Sequence, residues 1–126
     1  MNRDDNLVFD AEKGITFLAW FIQSGARTLD EVKEDSNDWG NYCKIRNSSK
    51  EIKATGSNEA WCTNNIYDFA GNVDEWTQEQ NSTKYHVCRG GSFVANGKGY
   101  PAACRELGEF DYFYKTTGFR IALWLK

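Results

Sequence analysis

Three short blocks constrain this chain more than anything else in it. Asn65 to Trp76 reads NIYDFAGNVDEW, which strings a turn-prone amide, an aromatic, an Ala-Gly-Asn turn and an acidic-aromatic edge together. Arg89-Gly90-Gly91-Ser92 comes next, and its two residues without a Cβ allow backbone to lie close against backbone. Gly118-Phe119-Arg120 then opens FRIALWL, a near-continuous apolar run that reads as a final strand buried on both faces.

The N-terminal part is different in kind. Ile15, Leu18, Ala19 and Ile22 recur at the spacing of one helical face, which predicts a helix over 11–24. Phe17, Trp20 and Phe21 widen that face until little of it is polar, so the helix is expected to be deeply buried, with Gly25 in the left-handed position past its end. Thr28 and Glu31 form a capping-box pattern that opens a short second helix. From Asp35 to about Ala60 the chain is rich in Ser, Asn, Asp and Gly, which favour turns, with Trp39, Tyr42 and Trp61 as anchors. NVDEWT and HVCR read as short strands. Two early helices, a long irregular region and short antiparallel strands define an α+β domain, and 126 residues suffice for one domain only.

The blocks GNVDEWT, RGGSF and GFRIAL, in this order, resemble the signatures of the formylglycine-generating enzyme (sulfatase-modifying factor) family. The resemblance implies a C-type-lectin-like fold over residues 1–126, although MNRDDNLVFDAEK leaves little room for the strands that family members carry before the first helix. An edge left open there would invite pairing with a partner strand. The family's enzymes oxidise a substrate cysteine with copper held by two cysteines, at the third and eighth residues beyond the serine of R-G-G-S. Those positions are Ala95 and Tyr100, and neither can be a thiolate ligand. The resemblance therefore implies the scaffold without the catalytic site. A copper-dependent cysteine oxidase working through Cys88 and Cys104 is the alternative.

Other chemistry is weakly indicated. One histidine, His86, cannot supply a two-His iron site, and its pairing with Cys88 lacks an orienting carboxylate. Asp74 and Glu75 are adjacent on a strand and point to opposite faces, so they form no acid/base pair. Some members of the family hold calcium near G-N-V-x-E-W. Asn72 and Glu75 match that motif and could contribute oxygens. The structural reading is that Asn72 satisfies turn backbone while Glu75 pairs with Arg89 or Arg120, and no cofactor is expected. Cys43, Cys62, Cys88 and Cys104 show no C-x-x-C pair and are read as buried thiols, with three disulfide connectivities open. A net charge of −3 without a basic stripe argues against nucleic acid, and no apolar stretch reaches membrane-spanning length.

Residues 94–117 lack a consistent period, yet EFDYFY places Phe110, Tyr112, Phe113 and Tyr114 within six positions. Aromatics with polar tips suit a surface that grips a partner, so Tyr112 and Tyr114 are expected to be exposed. Here NDWGNY, NIYDFAGNVDEWT, RGGSF and GFRIAL also resemble the phage and prophage variable proteins of diversity-generating retroelements. That resemblance implies a fixed scaffold with a varied window. The implied ligand-binding positions are Val94, Ala95, Gly99, Tyr100, Cys104, Leu107, Gly108, Tyr112 and Tyr114. The implied setting is a phage virion or a bacterial surface, with a protein or cell-surface ligand. A purely structural virion component is a third reading.

Overall fold

The computed structural model describes residues 2–3, 16–44, 51–109 and 111–120. Residues 11–15 of the expected first helix, Phe110 and the apolar run from Ile121 onward lie outside the described residues.

Helix α1 (Thr16–Gln23) sends Leu18 and Phe21 into the core. Burial on every side is not found, because Trp20 is 43% exposed, with its ring beside that of Phe21 at 5.8 Å. Gly25 closes the helix at φ +74. Helix α2 (Leu29–Lys33) starts on the predicted capping box. Thr28 Oγ1 accepts from Glu31 N at 3.2 Å, and the Glu31 carboxylate accepts from Thr28 N at 2.7 Å. Two 3-10 turns, Asn37–Trp39 and Glu59–Trp61, punctuate the irregular region. Trp39 and Tyr42 anchor it from within the core, whereas Trp61 is only half-buried.

The described residues form seven short strands: β1 (Asn2–Arg3), β2 (Cys62–Thr63), β3 (Ile66–Tyr67), β4 (Asp74–Gln80), β5 (Tyr85–Arg89), β6 (Cys104–Glu109) and β7 (Thr117–Gly118). β2 and β3 form a small antiparallel ribbon, and the others form one sheet in the order β1-β6-β5-β4-β7. β6 lies inside the segment expected to be irregular. The all-antiparallel expectation also fails at one place, since β7 runs parallel to β4 with Asp74 opposite Thr117. β7 can pair this way because the chain returns from β6 through the 111–116 segment before it reaches β4.

The core gathers Leu18, Phe21, Val32, Trp39, Tyr42, Ala70, Ala102 and Ala103. Phe21 meets Phe69 and Trp39 edge-on, with ring centroids 5.2 and 6.3 Å apart. The first two sequence blocks meet each other and the core residue Tyr42. Gly71 N donates to Gly90 O at 2.7 Å, Phe93 N donates to Asn72 O at 2.8 Å, and the Tyr42 hydroxyl donates to Gly90 O at 2.6 Å. A Cβ on Gly91, at φ +71, would stand 2.5 Å from the Tyr100 carbonyl oxygen and 2.7 Å from the Tyr42 ring. The paired glycines are therefore required by close backbone approach.

Candidate functional site

Arg120 fastens the third block to the first. Its guanidinium grips both oxygens of Glu75 at 2.8 to 3.1 Å and donates to Tyr67 O at 2.9 Å. Of the two predicted partners, Arg120 rather than Arg89 takes Glu75. Arg89, itself buried, donates to Ala103 O at 2.7 Å and to Glu79, which also receives Arg105 at 2.7 Å. Asn72 sits at φ +61. Its Oδ1 accepts from Lys53 N at 2.9 Å and from the Asn41 amide at 3.1 Å, while its Nδ2 donates to Lys53 O at 3.1 Å. The oxygens of Asn72 and Glu75 are thus turned to backbone, amide and guanidinium donors instead of being gathered around one point. As arranged, they do not fit a calcium site.

The nine expected ligand-binding residues divide three ways. Val94, Gly99, Tyr100, Leu107 and Tyr112 are exposed, and Ala95 and Tyr114 are half-buried. Cys104 and Gly108 are buried and do not belong to the surface. On β6, Gly108 faces inward with Trp76 laid over it, so that a Cβ there would stand 2.5 Å from the indole. Nor do the exposed positions share one support. The 94–100 loop docks on the irregular region through Cys43 N to Ala95 O at 2.8 Å and Gly97 N to Asn37 Oδ1 at 2.9 Å. Residues 107–109 and 111–114 stand at the other end of β6, where Tyr85 pairs with Glu109. Lys84 there pairs with Glu109 at 3.1 Å. At that end the Tyr112 and Tyr114 rings stand 4.7 Å apart, Tyr112 is 61% exposed and Phe113 is 85% exposed. Phe113 and Phe119, both turned outward, were not among the expected residues. The apolar character of Phe119 pointed indoors, yet its side chain is 77% exposed.

The positions where the family's copper cysteines would stand, Ala95 and Tyr100, lie in the 94–100 loop and offer no sulfur. The chain's donor set there does not fit copper. The four cysteines are thiols rather than disulfides, with Cys88 and Cys104 buried and Cys43 and Cys62 half-buried. Cys88 shares one face of the sheet with Asp74, Trp76 and Glu106, because it pairs with Trp76 on one side and Glu106 on the other. Burial, aided by the charges of Asp74 and Glu106, pushes the Cys88 thiol up to about 12. The same burial, then the Asp74 charge and hydrogen bond, pushes Glu106 up to about 7, and burial raises Asp74 as well. Asp74 Oδ1 has no partner among the described residues. His86 edges the Trp76 ring at 6.5 Å and lies 3.2 Å from the Gln80 amide. Nothing in the residue order showed this acid–thiol face, since only the β5–β6 register sets Glu106 against Cys88. Among the described residues no three His, Cys, Asp or Glu side chains gather as a metal would need.

Two helices over a short-stranded, strongly turned mixed sheet are consistent with a C-type-lectin-like fold. The sequence profile of the sulfatase-modifying factor enzyme 1-like domain matches residues 16–124, and the chain belongs to that family. No curated protein and no solved structure matches it. Among the described residues no helix is long and apolar enough to cross a membrane.

Proposed function

We propose that this domain is a non-catalytic binding module that presents the outer end of β6 and the adjoining 111–114 segment to a protein or cell-surface ligand. The observation that carries the reading is the placement of Phe113 and Tyr112 in solvent beside Tyr114, on a frame whose three motif blocks are locked together by backbone and guanidinium contacts. Exposed rings of this kind bury much apolar area at low cost in side-chain entropy. The loss of the copper cysteines at Ala95 and Tyr100 supports the non-catalytic part. So does a Cys88 thiol held far from the thiolate form. The 94–100 loop is a second, separately supported display segment, as the resemblance to retroelement variable proteins suggests. A phage virion or bacterial surface is the setting that suits such display.

Two experiments test this. The protein supplied with copper and a cysteine-containing peptide is expected to yield no formylglycine by mass spectrometry, and catalytic turnover would overturn the non-catalytic reading. Fluorescently labelled protein is expected to bind intact bacterial cells, with Phe113→Ser weakening binding by roughly tenfold or more. Equal binding by the variant would refute the role of the ring patch. A reverse-transcriptase gene and a near-copy of the 3′ coding segment beside this gene would support diversification.

A further inference from the structure

Asn96–Gly97 is the one Asn-Gly dipeptide in the chain, and it lies in the 94–100 loop. Such a pair is chemically labile, because the asparagine amide stands next to a backbone N–H that no Cβ shields. In the reaction it invites, Gly97 N gives up its proton and forms a bond to Asn96 Cγ, and ammonia leaves. Water then opens the resulting cyclic imide at either carbonyl, giving aspartate or isoaspartate at position 96. No oxidant or reductant is consumed.

In the folded chain both reacting groups are already engaged. Gly97 is buried, and its N–H donates to Asn37 Oδ1 at 2.9 Å. Gly97 O accepts from Ser36 N at 3.1 Å. Ser36 is itself fully buried, its hydroxyl donating to Glu31 O at 2.6 Å and accepting from Ala102 N at 2.9 Å. Asn96 Oδ1 accepts from Lys98 N at 2.9 Å and from Asn37 Nδ2 at 3.4 Å. The Asn37 amide is fixed in turn, because Nδ2 also donates to Asp35 Oδ1 at 2.9 Å and Asn37 N donates to the same oxygen at 3.0 Å. Ring closure requires Gly97 N to leave its acceptor and the Asn96 amide to turn out of its two contacts. One side chain, Asn37, takes part in both restraints. Substitution at 97 cannot remove the labile pair cheaply, since a Cβ there would stand 2.6 Å from Asn37 N. The packing that demands glycine at 97 is thus what makes Asn96 reactive.

We infer that Asn96 is a deamidation site kept closed by the Asn37 side chain and exposed to reaction only when the 94–100 loop opens, an inference independent of what the loop binds. The rate in the folded protein then follows the fraction of molecules with the loop open. Isoaspartate inserts a methylene into the main chain ahead of Gly97, which changes the spacing that lets Gly97 N and O meet Asn37 and Ser36. Each opening therefore carries a chance of losing the latch irreversibly.

The test incubates the protein in mildly alkaline buffer and measures aspartate and isoaspartate at position 96 by peptide mapping with mass spectrometry. The folded protein is expected to react at Asn96 at least roughly tenfold more slowly than the urea-unfolded chain. Asn37→Ala is expected to raise the folded rate at Asn96 by roughly tenfold or more. Asn81–Ser82, an exposed pair in the β4–β5 turn, is expected to keep its original rate in that variant. In the unaltered protein, low urea concentrations that speed hydrogen exchange at Gly97 N are expected to speed deamidation by the same factor. That arm uses no substitution, so a folding defect in Asn37→Ala does not blunt it. Equal rates in folded and unfolded chains, or deamidation that ignores Gly97 exchange, overturn the gate. A folded Asn37→Ala that reacts no faster at Asn96, or equally faster at Asn81, overturns the part assigned to Asn37.

Discussion

Glu106→Gln isolates the electrostatics of the acid–thiol face. In the folded protein the Glu106 carboxyl is pushed up to about 7, first by burial and then by the charge and hydrogen bond of Asp74. In the unfolded chain it returns to an ordinary carboxylate value of about 4.3. The folded state therefore holds a proton that the unfolded state releases more readily, so stability falls as pH rises. The stabilisation is fully present below about pH 4.3 and is gone once pH has passed about 7. At about 1.4 kcal/mol per pH unit of separation, the ceiling is about 3 to 4 kcal/mol. Glu106 is only half-buried, and screening by solvent reduces this to about 1 to 2 kcal/mol. Glutamine keeps the size and a hydrogen bond to Asp74 but carries no charge. Urea unfolding monitored by tryptophan fluorescence is expected to give nearly equal stability for both proteins at about pH 4, below the unfolded-state value. At about pH 8 the variant is expected to be more stable by about 1 to 2 kcal/mol. Asp68 and Glu75, also raised by burial, shift both proteins alike and cancel in the comparison. Parallel pH profiles, or a variant equally destabilised at both values, would refute the account.

Gly91→Ala meets both a left-handed backbone and a crowded Cβ position, and is expected to cost about 2 to 4 kcal/mol in the same unfolding assay; a neutral result would mean the turn relaxes. Cys88, with its thiol pushed up to about 12, is expected to react with iodoacetamide at about pH 8 at least roughly a thousandfold more slowly than in the urea-unfolded chain. Comparable rates would show that the face opens readily. Phe113→Ser is expected to leave stability within about 0.5 kcal/mol, since the side chain is already in solvent, and a larger loss would place that ring in the fold's own packing.

Local signals were legible where a few neighbouring residues settle the outcome. The capping box at Thr28, the left-handed Gly25 and the glycine pair in RGGS depend on spacing and on the absence of a Cβ, and each is found as expected. The opposite orientations of Asp74 and Glu75 also come from strand period alone, and one meets Glu106 while the other meets Arg120. The features that failed depend on distant partners. CRELGE at 104–109 shows no apolar alternation. It is a strand because β5 and β1 flank it, and its inward glycine exists to admit the Trp76 ring. Cys104 and Gly108 were consequently misplaced on the surface, and Trp20 misplaced in the core. The choice of Arg120 over Arg89 for Glu75 likewise comes from the parallel pairing of β7, which no local pattern announces.

The division between frame and surface has a physical basis in how each is held. The frame is fixed by contacts that tolerate almost no substitution: glycine against backbone at Gly71 and Gly91, a buried hydroxyl at Tyr42, and the Glu79 carboxylate shared by Arg89 and Arg105. Removing one partner from such a set leaves a desolvated charge or a steric overlap, with costs of about 2 to 5 kcal/mol. The exposed rings of 111–114 and the side chains of the 94–100 loop bear little of that burden. The loop is held mainly through main-chain groups, Ala95 O and Gly97 N, and of these two positions only Gly97 is itself fixed, because a Cβ there would stand 2.6 Å from Asn37 N. Side chains such as Val94, Tyr100, Tyr112 and Phe113, exposed to solvent, can therefore change without disturbing the frame.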